Sequence, residues 1–207
     1  AGTALVLPEY RWMIDGIRDA DSFVFNPHKW MFTNFDCSAY FVRDRETLIR
    51  TFEILPEYLK TKSRGIVNDY RNWGIALGRR FRALKLWFVI RNFGVQGIQE
   101  RVRLHIALAR KLAGEIEKHP DFELLNEPLL NTVCFRYRPT SVEQEEHLDE
   151  LNEKLLGTLN ASGKVFLSHT RLHGKYTLRM VTAQTYVEER HVMMAWDLIQ
   201  RTASKLT

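Results

Sequence analysis

The stretch "SFVFNPHKWMF", Ser22 to Phe32, places Lys29 between an apolar run and the trio Trp30, Met31 and Phe32. Two chemistries are open to it. Asn26 can cap a short helix with Pro27 in its first turn, leaving Lys29 solvated. Alternatively the apolar neighbours shield the amine from bulk solvent and lower its pKa, so that the free base condenses with a carbonyl to form a Schiff base. Other residues with chemical potential are less specific. His169 and His173 have a spacing that suits metal ligation on a helix, but "SHTRLHGK" reads as a loop between strands, so a surface pair and no metal site is expected. Cys37 and Cys134 belong to no metal-ligand or disulfide pattern, and a reducing, cytoplasmic setting is expected. Arg79, Arg80, Arg82 and Lys85 form a basic cluster that suits either a solvated helix side or an acidic partner.

The elements that must carry Lys29 are legible on both sides of it. Pro8 with "EYRWMIDGIRDA" predicts a short helix begun by proline, "SFVF" a strand, "CSAYFVR" a second strand, and "DRETLIRTF" a helix capped by Asp44. Residues 53–69, with a proline, a glycine and no sustained period, predict a long exposed loop. "IALGRRFRALKLWFVIRNF" predicts a helix from Ile75 with Leu77, Phe81, Leu84 and Phe88 on one face, followed by a long amphipathic helix that ends at His119 and Pro120. Beyond it the strands "FELL", "TVCFRYRP", "VFLS" and "KYTLRMVT" alternate with two helices, a compact α/β pattern. Ser141 with Gln144 and Thr185 with Glu188 have capping-box spacing, and Leu148, Leu151, Leu155 and Leu159 predict a core stripe. The domain change is expected within the helix near residue 85.

The chain has 207 residues, of which 45% are hydrophobic and 12% aromatic, enough for one large or two small cores. No run of eighteen apolar residues is present, so no membrane span is expected. The formal net charge of +5 permits binding to phosphates or acidic surfaces.

"ADSFVFNPHKWMFTNFDCSAYFVRD" closely resembles the cofactor-lysine segment of the group II pyridoxal-phosphate-dependent amino acid decarboxylases, the aromatic-L-amino-acid decarboxylase family. The resemblance continues through "LPEYLK", "DYRNWGIALGRRFRALKLWFVIRNFGVQG", "VCFRYR" and "LRMVTAQTYVEERHV", and so covers essentially the whole chain. It implies an α/β fold of the pyridoxal-phosphate-dependent transferase type (fold type I): residues 1–84 as the end of the large domain, with a mobile catalytic loop near 53–69, and residues 85–207 as the carboxyl-terminal small domain. It implies that Lys29 holds pyridoxal 5'-phosphate covalently and that Asn26 anchors the cofactor phosphate. His28 either assists that anchoring or is satisfied by the backbone.

The resemblance further implies that Tyr58 reaches the active site of a neighbouring subunit and donates a proton to the carbanion left by loss of carbon dioxide. A phenol is neutral at pH 7 yet able to donate, and loop closure excludes water. Relatives with phenylalanine there tend to make aldehydes, so Tyr58 implies plain decarboxylation. Gly78 falls where the family adjusts substrate size; it either leaves room for a large aromatic ring or packs a helix.

The implied function is decarboxylation of an aromatic L-amino acid of the tryptophan, tyrosine or DOPA type by a homodimer. Decarboxylation of another amino acid, such as histidine or glutamate, is the alternative within enzymes, and a basic nucleic-acid-binding module built on Arg79, Arg80, Arg82 and Lys85 is the alternative outside them. The family's segment carrying the aspartate for the pyridine nitrogen precedes the matched span. This chain is therefore expected to correspond to the carboxyl-terminal part of such an enzyme, to bind the cofactor weakly alone, and to turn over only with the amino-terminal part.

Overall fold

The computed structural model describes residues 1–54 and 68–206. The chain divides into two compact units, Ala1–Val95 and Gln96–Thr207. The helical run α3, Arg82–Lys118, passes through that division and breaks at Gly94, where φ is 64°. That left-handed conformation favours glycine.

The first unit is built around a two-stranded antiparallel sheet. Strand β1, Ser22–Phe25, pairs with β2, Ala39–Val42, in the register Ser22 to Val42 and Phe25 to Ala39. Alternation puts Phe23 and Phe25 on one face with Phe41 from the partner strand, their ring centroids 6.1–6.5 Å apart. Upstream, two 3-10 turns, Gly2–Val6 and Pro8–Ile14, bury Ala4 and Leu7 completely, with Pro8 at the first position of the second turn. Gly2 lies so close to the sheet that a Cβ there would come within 2.5 Å of Phe25 Cβ. The gap between β1 and β2 holds the short helix α1, Pro27–Trp30, and helix α2, Arg45–Phe52, follows β2. Asp44 caps α2 as expected, its Oδ1 accepting from the Glu46 and Thr47 backbone N–H groups at 3.0 and 3.1 Å.

The helix expected from Ile75 begins only at Arg82. Leu77 and Phe81 precede it and are largely exposed, as are Leu84 and Phe88 within it. Periodicity alone placed them on a core face. Gly78 weakens helix propagation through this stretch, and the first unit offers these side chains no core to enter.

The second unit has a conventional two-layer core. Its sheet runs in the order β3-β4-β6-β5, with β3 at Phe122–Leu124, β4 at Thr132–Tyr137, β5 at Ser168–Leu172 and β6 at Lys175–Val181. All neighbours are antiparallel. Three helical segments supply the apolar layer. The later part of α3 buries Val102, Ile106, Ala109, Leu112, Ala113 and Ile116 at helical spacing. Helix α4, Glu145–Ala161, buries Leu148, Leu155 and Leu159 with Leu151 packed beside them, the stripe read from sequence. Helix α5, Glu189–Ala203, sends Trp196 against Phe122 with centroids 4.8 Å apart. Asn152, fully buried, accepts from Tyr137 N and donates to Tyr137 O and Leu148 O, each at 2.8 Å.

Three local expectations shift here. Helices α4 and α5 each start three residues later than the capping spacing suggested, because turns closed by Val142 N to Pro139 O and Val187 N to Gln184 O occupy those positions. The capping box of α5 is formed by Glu188 and His191. The "VFLS" strand begins at Ser168, so His169 lies on a strand, stacked on Tyr176 at 4.9 Å, and His173 occupies the hairpin turn with φ 51°. Neither residue lies on a helix.

His105 is completely buried in this unit, and burial, followed by the nearby Arg101 charge, lowers its pKa from 6.5 to about 4. The unfolded chain takes up a proton below pH 6.5 while the folded chain resists until about pH 4, so this contribution to stability is complete above 6.5 and is lost between those values. Wild type is expected to lose roughly 3 kcal/mol more than His105→Gln across that window. Denaturant titrations at a series of pH values check this; parallel pH profiles for the two proteins would disprove it. Among the described residues no helix is long and apolar enough to cross a membrane.

Candidate active site

Lys29 is carried by α1, immediately after β1 ends. The short helix is oriented by its two buried residues, Pro27 and Trp30, which face inward and leave Lys29 exposed on the opposite side. This corrects the expectation of an amine shielded by its aromatic neighbours: Trp30 is 6% exposed and anchors the helix, and no described residue covers the lysine. No ion pair to Lys29 forms among the described residues.

Asn26 occupies the N-cap position of α1 by backbone conformation, but its side chain does not cap. Instead its Oδ1 accepts a 2.6 Å hydrogen bond from Ser38 Oγ, which turns the amide donor group Nδ2 toward other partners. His28 is tied to the peptide groups of Cys37. Its backbone N–H donates to Cys37 O at 3.2 Å, and its Nδ1 lies 3.0 Å from Cys37 N and 2.7 Å from Cys37 O. The Phe35 ring meets the imidazole edge-on at 5.0 Å. Backbone satisfaction, one of the two readings of His28, is therefore what the structure contains, with Nε2 the ring nitrogen not engaged by Cys37.

The Lys29 loop is fixed at its far end as well. Asp36 accepts from Arg82 Nε at 2.9 Å, and the hydrogen bond from Arg82 holds the Asp36 carboxyl below its usual range. Cys37 is buried, and its thiol lies 3.9 Å from Arg82 O. Of the basic cluster, Arg82 is thus committed to a carboxylate within its own unit, while Arg79 and Arg80 are exposed. Sequence reading missed these contacts because Asp36 and Arg82 are 46 positions apart. The Asn26–Ser38 and His28–Cys37 pairs, by contrast, follow from the β1–β2 pairing, which brings the two ends of the loop together.

Gly78 is exposed in a bend before α3, and a Cβ added there would meet nothing within 4 Å. Helix packing, one of the two explanations offered for it, does not apply among the described residues. Tyr58 lies outside the described residues.

These residues fit an aldehyde cofactor bearing a phosphate. An amine unpaired with any described carboxylate is available to a carbonyl carbon, and an amide whose oxygen is already occupied presents its N–H groups to an anion.

The fold is that of pyridoxal-phosphate-dependent decarboxylases. The Oryza sativa TDC crystallised with PLP and tryptamine matches with a TM-score of 0.94 at 37% identity, over 100% of this chain and 43% of that chain. Catharanthus roseus tryptophan decarboxylase, solved with L-tryptophan, matches with a TM-score of 0.86 at 36% identity, over 99% of this chain and 41% of that one. A family profile described as the pyridoxal-dependent decarboxylase conserved domain covers residues 1–138, and the chain belongs to that family. Among curated relatives, phenylacetaldehyde synthase of Arabidopsis thaliana is 44% identical and aromatic-L-amino-acid decarboxylase of Rattus norvegicus 41% identical, each over the whole of this chain. The chain spans about 42% of the length of these two relatives.

Proposed function

We propose that this chain is the lysine-bearing part of a cytoplasmic, homodimeric decarboxylase that converts an aromatic L-amino acid of the tryptophan, tyrosine or DOPA type to its amine and carbon dioxide. The observation that carries the reading is Lys29: an exposed amine, unpaired among the described residues and held at the end of β1 by a fixed loop, in a chain similar over its full length to tyrosine, tryptophan and aromatic-L-amino-acid decarboxylases. Bound pyridoxal 5'-phosphate supplies an electron sink for the pair left behind when the carboxylate departs.

The chain's own residues divide the remaining work. Lys29 holds the cofactor through Nζ, and Asn26 donates from Nδ2 to its phosphate. His28 keeps the loop between Asn26 and Ser38 in place through its bonds to Cys37. Tyr58 delivers a proton to the substrate Cα, across to the second copy of the chain in the dimer. Gly78 leaves the space around it open for a bulky ring. Residues 1–84 act as the end of the large domain and 85–207 as the small domain, and the amino-terminal part of the enzyme completes the site.

The second reading is decarboxylation of a different amino acid, such as histidine or glutamate. A chimera decides between them. This chain replaces the matched span of rat aromatic-L-amino-acid decarboxylase, and the cofactor-loaded protein is offered tryptophan, tyrosine, DOPA, histidine, glutamate and cysteine sulfinate. Amine is expected from the aromatic substrates. Preference for a non-aromatic substrate would move the assignment to the second reading, and a folded, loaded chimera that makes no amine would remove both.

A further inference from the structure

We propose that Arg82 is a positioning residue for Lys29, acting through the Asp36–Cys37 peptide and His28. The inference rests on the reading of Lys29 as the cofactor-bearing lysine. Arg82 opens α3 and grips the far end of the lysine loop twice: its side chain donates to Asp36 at 2.9 Å, and its backbone carbonyl meets the Cys37 thiol at 3.9 Å. Asp36 and Cys37 share one peptide group, and its N–H faces His28 Nδ1 at 3.0 Å. The Cys37 carbonyl in turn receives the His28 backbone N–H at 3.2 Å. The residue after His28 is Lys29. A displacement of Asp36 therefore passes through two hydrogen-bonded atoms of Cys37 to the backbone that sets the direction of the reactive side chain.

The burial of the pair separates this role from a merely structural one. The Arg82 and Asp36 side chains are 37% and 36% exposed. Ion pairs in such surroundings contribute little to global stability, being screened by solvent. The anchoring of α1 itself comes from buried Trp30 and Pro27. Loss of the pair should accordingly leave the fold standing and loosen the aim of one lysine.

The test uses the chimera described above, freed of cofactor, in which the 207-residue chain is completed by an amino-terminal part. Pyridoxal 5'-phosphate is added, the product is fixed with borohydride at a series of times, and peptide mass spectrometry reads the rate of labelling at Lys29 against that at every other lysine. Thermal unfolding is followed in parallel. Wild type is expected to label first at Lys29. Arg82→Met is expected to slow Lys29 roughly tenfold, with the other lysines and the unfolding midpoint unchanged, and Arg82→Lys to recover part of the rate. Asp36→Asn should match Arg82→Met, with the double variant no slower than either, as for two residues acting through one contact. Wild-type rates at Lys29 in both single variants would overturn the proposal while leaving the functional reading intact. A uniform change at all lysines with a lowered midpoint would assign Arg82 a structural role and overturn it also; if Arg82→Met does not fold, Asp36→Asn alone decides. A wild-type chain with no preference for Lys29 overturns the functional reading, and the proposal with it.

Discussion

Lys29→Ala, introduced into the chimeric decarboxylase, abolishes amine formation, with a loss of at least about 10⁴-fold, and removes the visible absorbance of the covalently held cofactor. The loss arises because no other group described near the site can take the place of the amine. Pro27 and Trp30 are buried, Asn26 is bonded to Ser38, and His28 is bonded to Cys37. The variant should fold normally. Lys29 is exposed and forms no ion pair among the described residues, and substitutions of that kind change stability by only about 0.5 kcal/mol. The checks are absorbance, amine assay and thermal unfolding on one preparation. Retained absorbance with retained turnover would show that a different residue holds the cofactor.

Tyr58→Phe is expected to lower amine formation by roughly 10²-fold or more while leaving cofactor absorbance and substrate KM close to wild type. The substitution removes one oxygen and one transferable proton and keeps the ring, so binding surfaces change little. A phenol in water has a pKa near 10, so this side-chain type is protonated at neutral pH and able to donate to a far more basic carbon. Where protonation is slowed, dissolved dioxygen can take two electrons from the electron-rich carbon and leave as hydrogen peroxide while water displaces the nitrogen as ammonia, so aldehyde is expected to rise as amine falls. Chromatography of both products checks this. An unchanged amine rate would exclude Tyr58 as the proton donor.

Much of what positions Lys29 could be read from the sequence, because the signals are local. The strand "SFVF", the proline-begun α1, the Asp44 cap and the leucine stripe of α4 each depend on residues within one or two turns of one another. Periodicity failed where burial depends on partners far along the chain. Leu77 and Phe81 have helical spacing but no core to enter, and the start of α3 follows Gly78 and Arg82 rather than the apolar pattern. Capping spacing misplaced α4 and α5 because backbone turns at Pro139 and Gln184 competed for the same residues. Identity of the site came from the run Asn26–Lys29 and its resemblance to a known family; spacing alone favoured a solvated Lys29. The clasp formed by Asp36, Cys37 and Arg82 was illegible for the opposite reason, since it joins residues that only tertiary folding brings together.

The phenylalanine face of the β1–β2 sheet has a practical outcome for anyone handling this polypeptide. Phe23, Phe25 and Phe41 line a cup of about 410 Å³ together with Leu5, Val6 and Met31. β1 and β2 pair only with each other, so each also presents a free edge among the described residues. Greasy surface beside unpaired strand edges invites self-association and dye uptake. Left by itself in concentrated solution, the first unit is the portion that would drive precipitation, and a chaperone or mild detergent would find its foothold there.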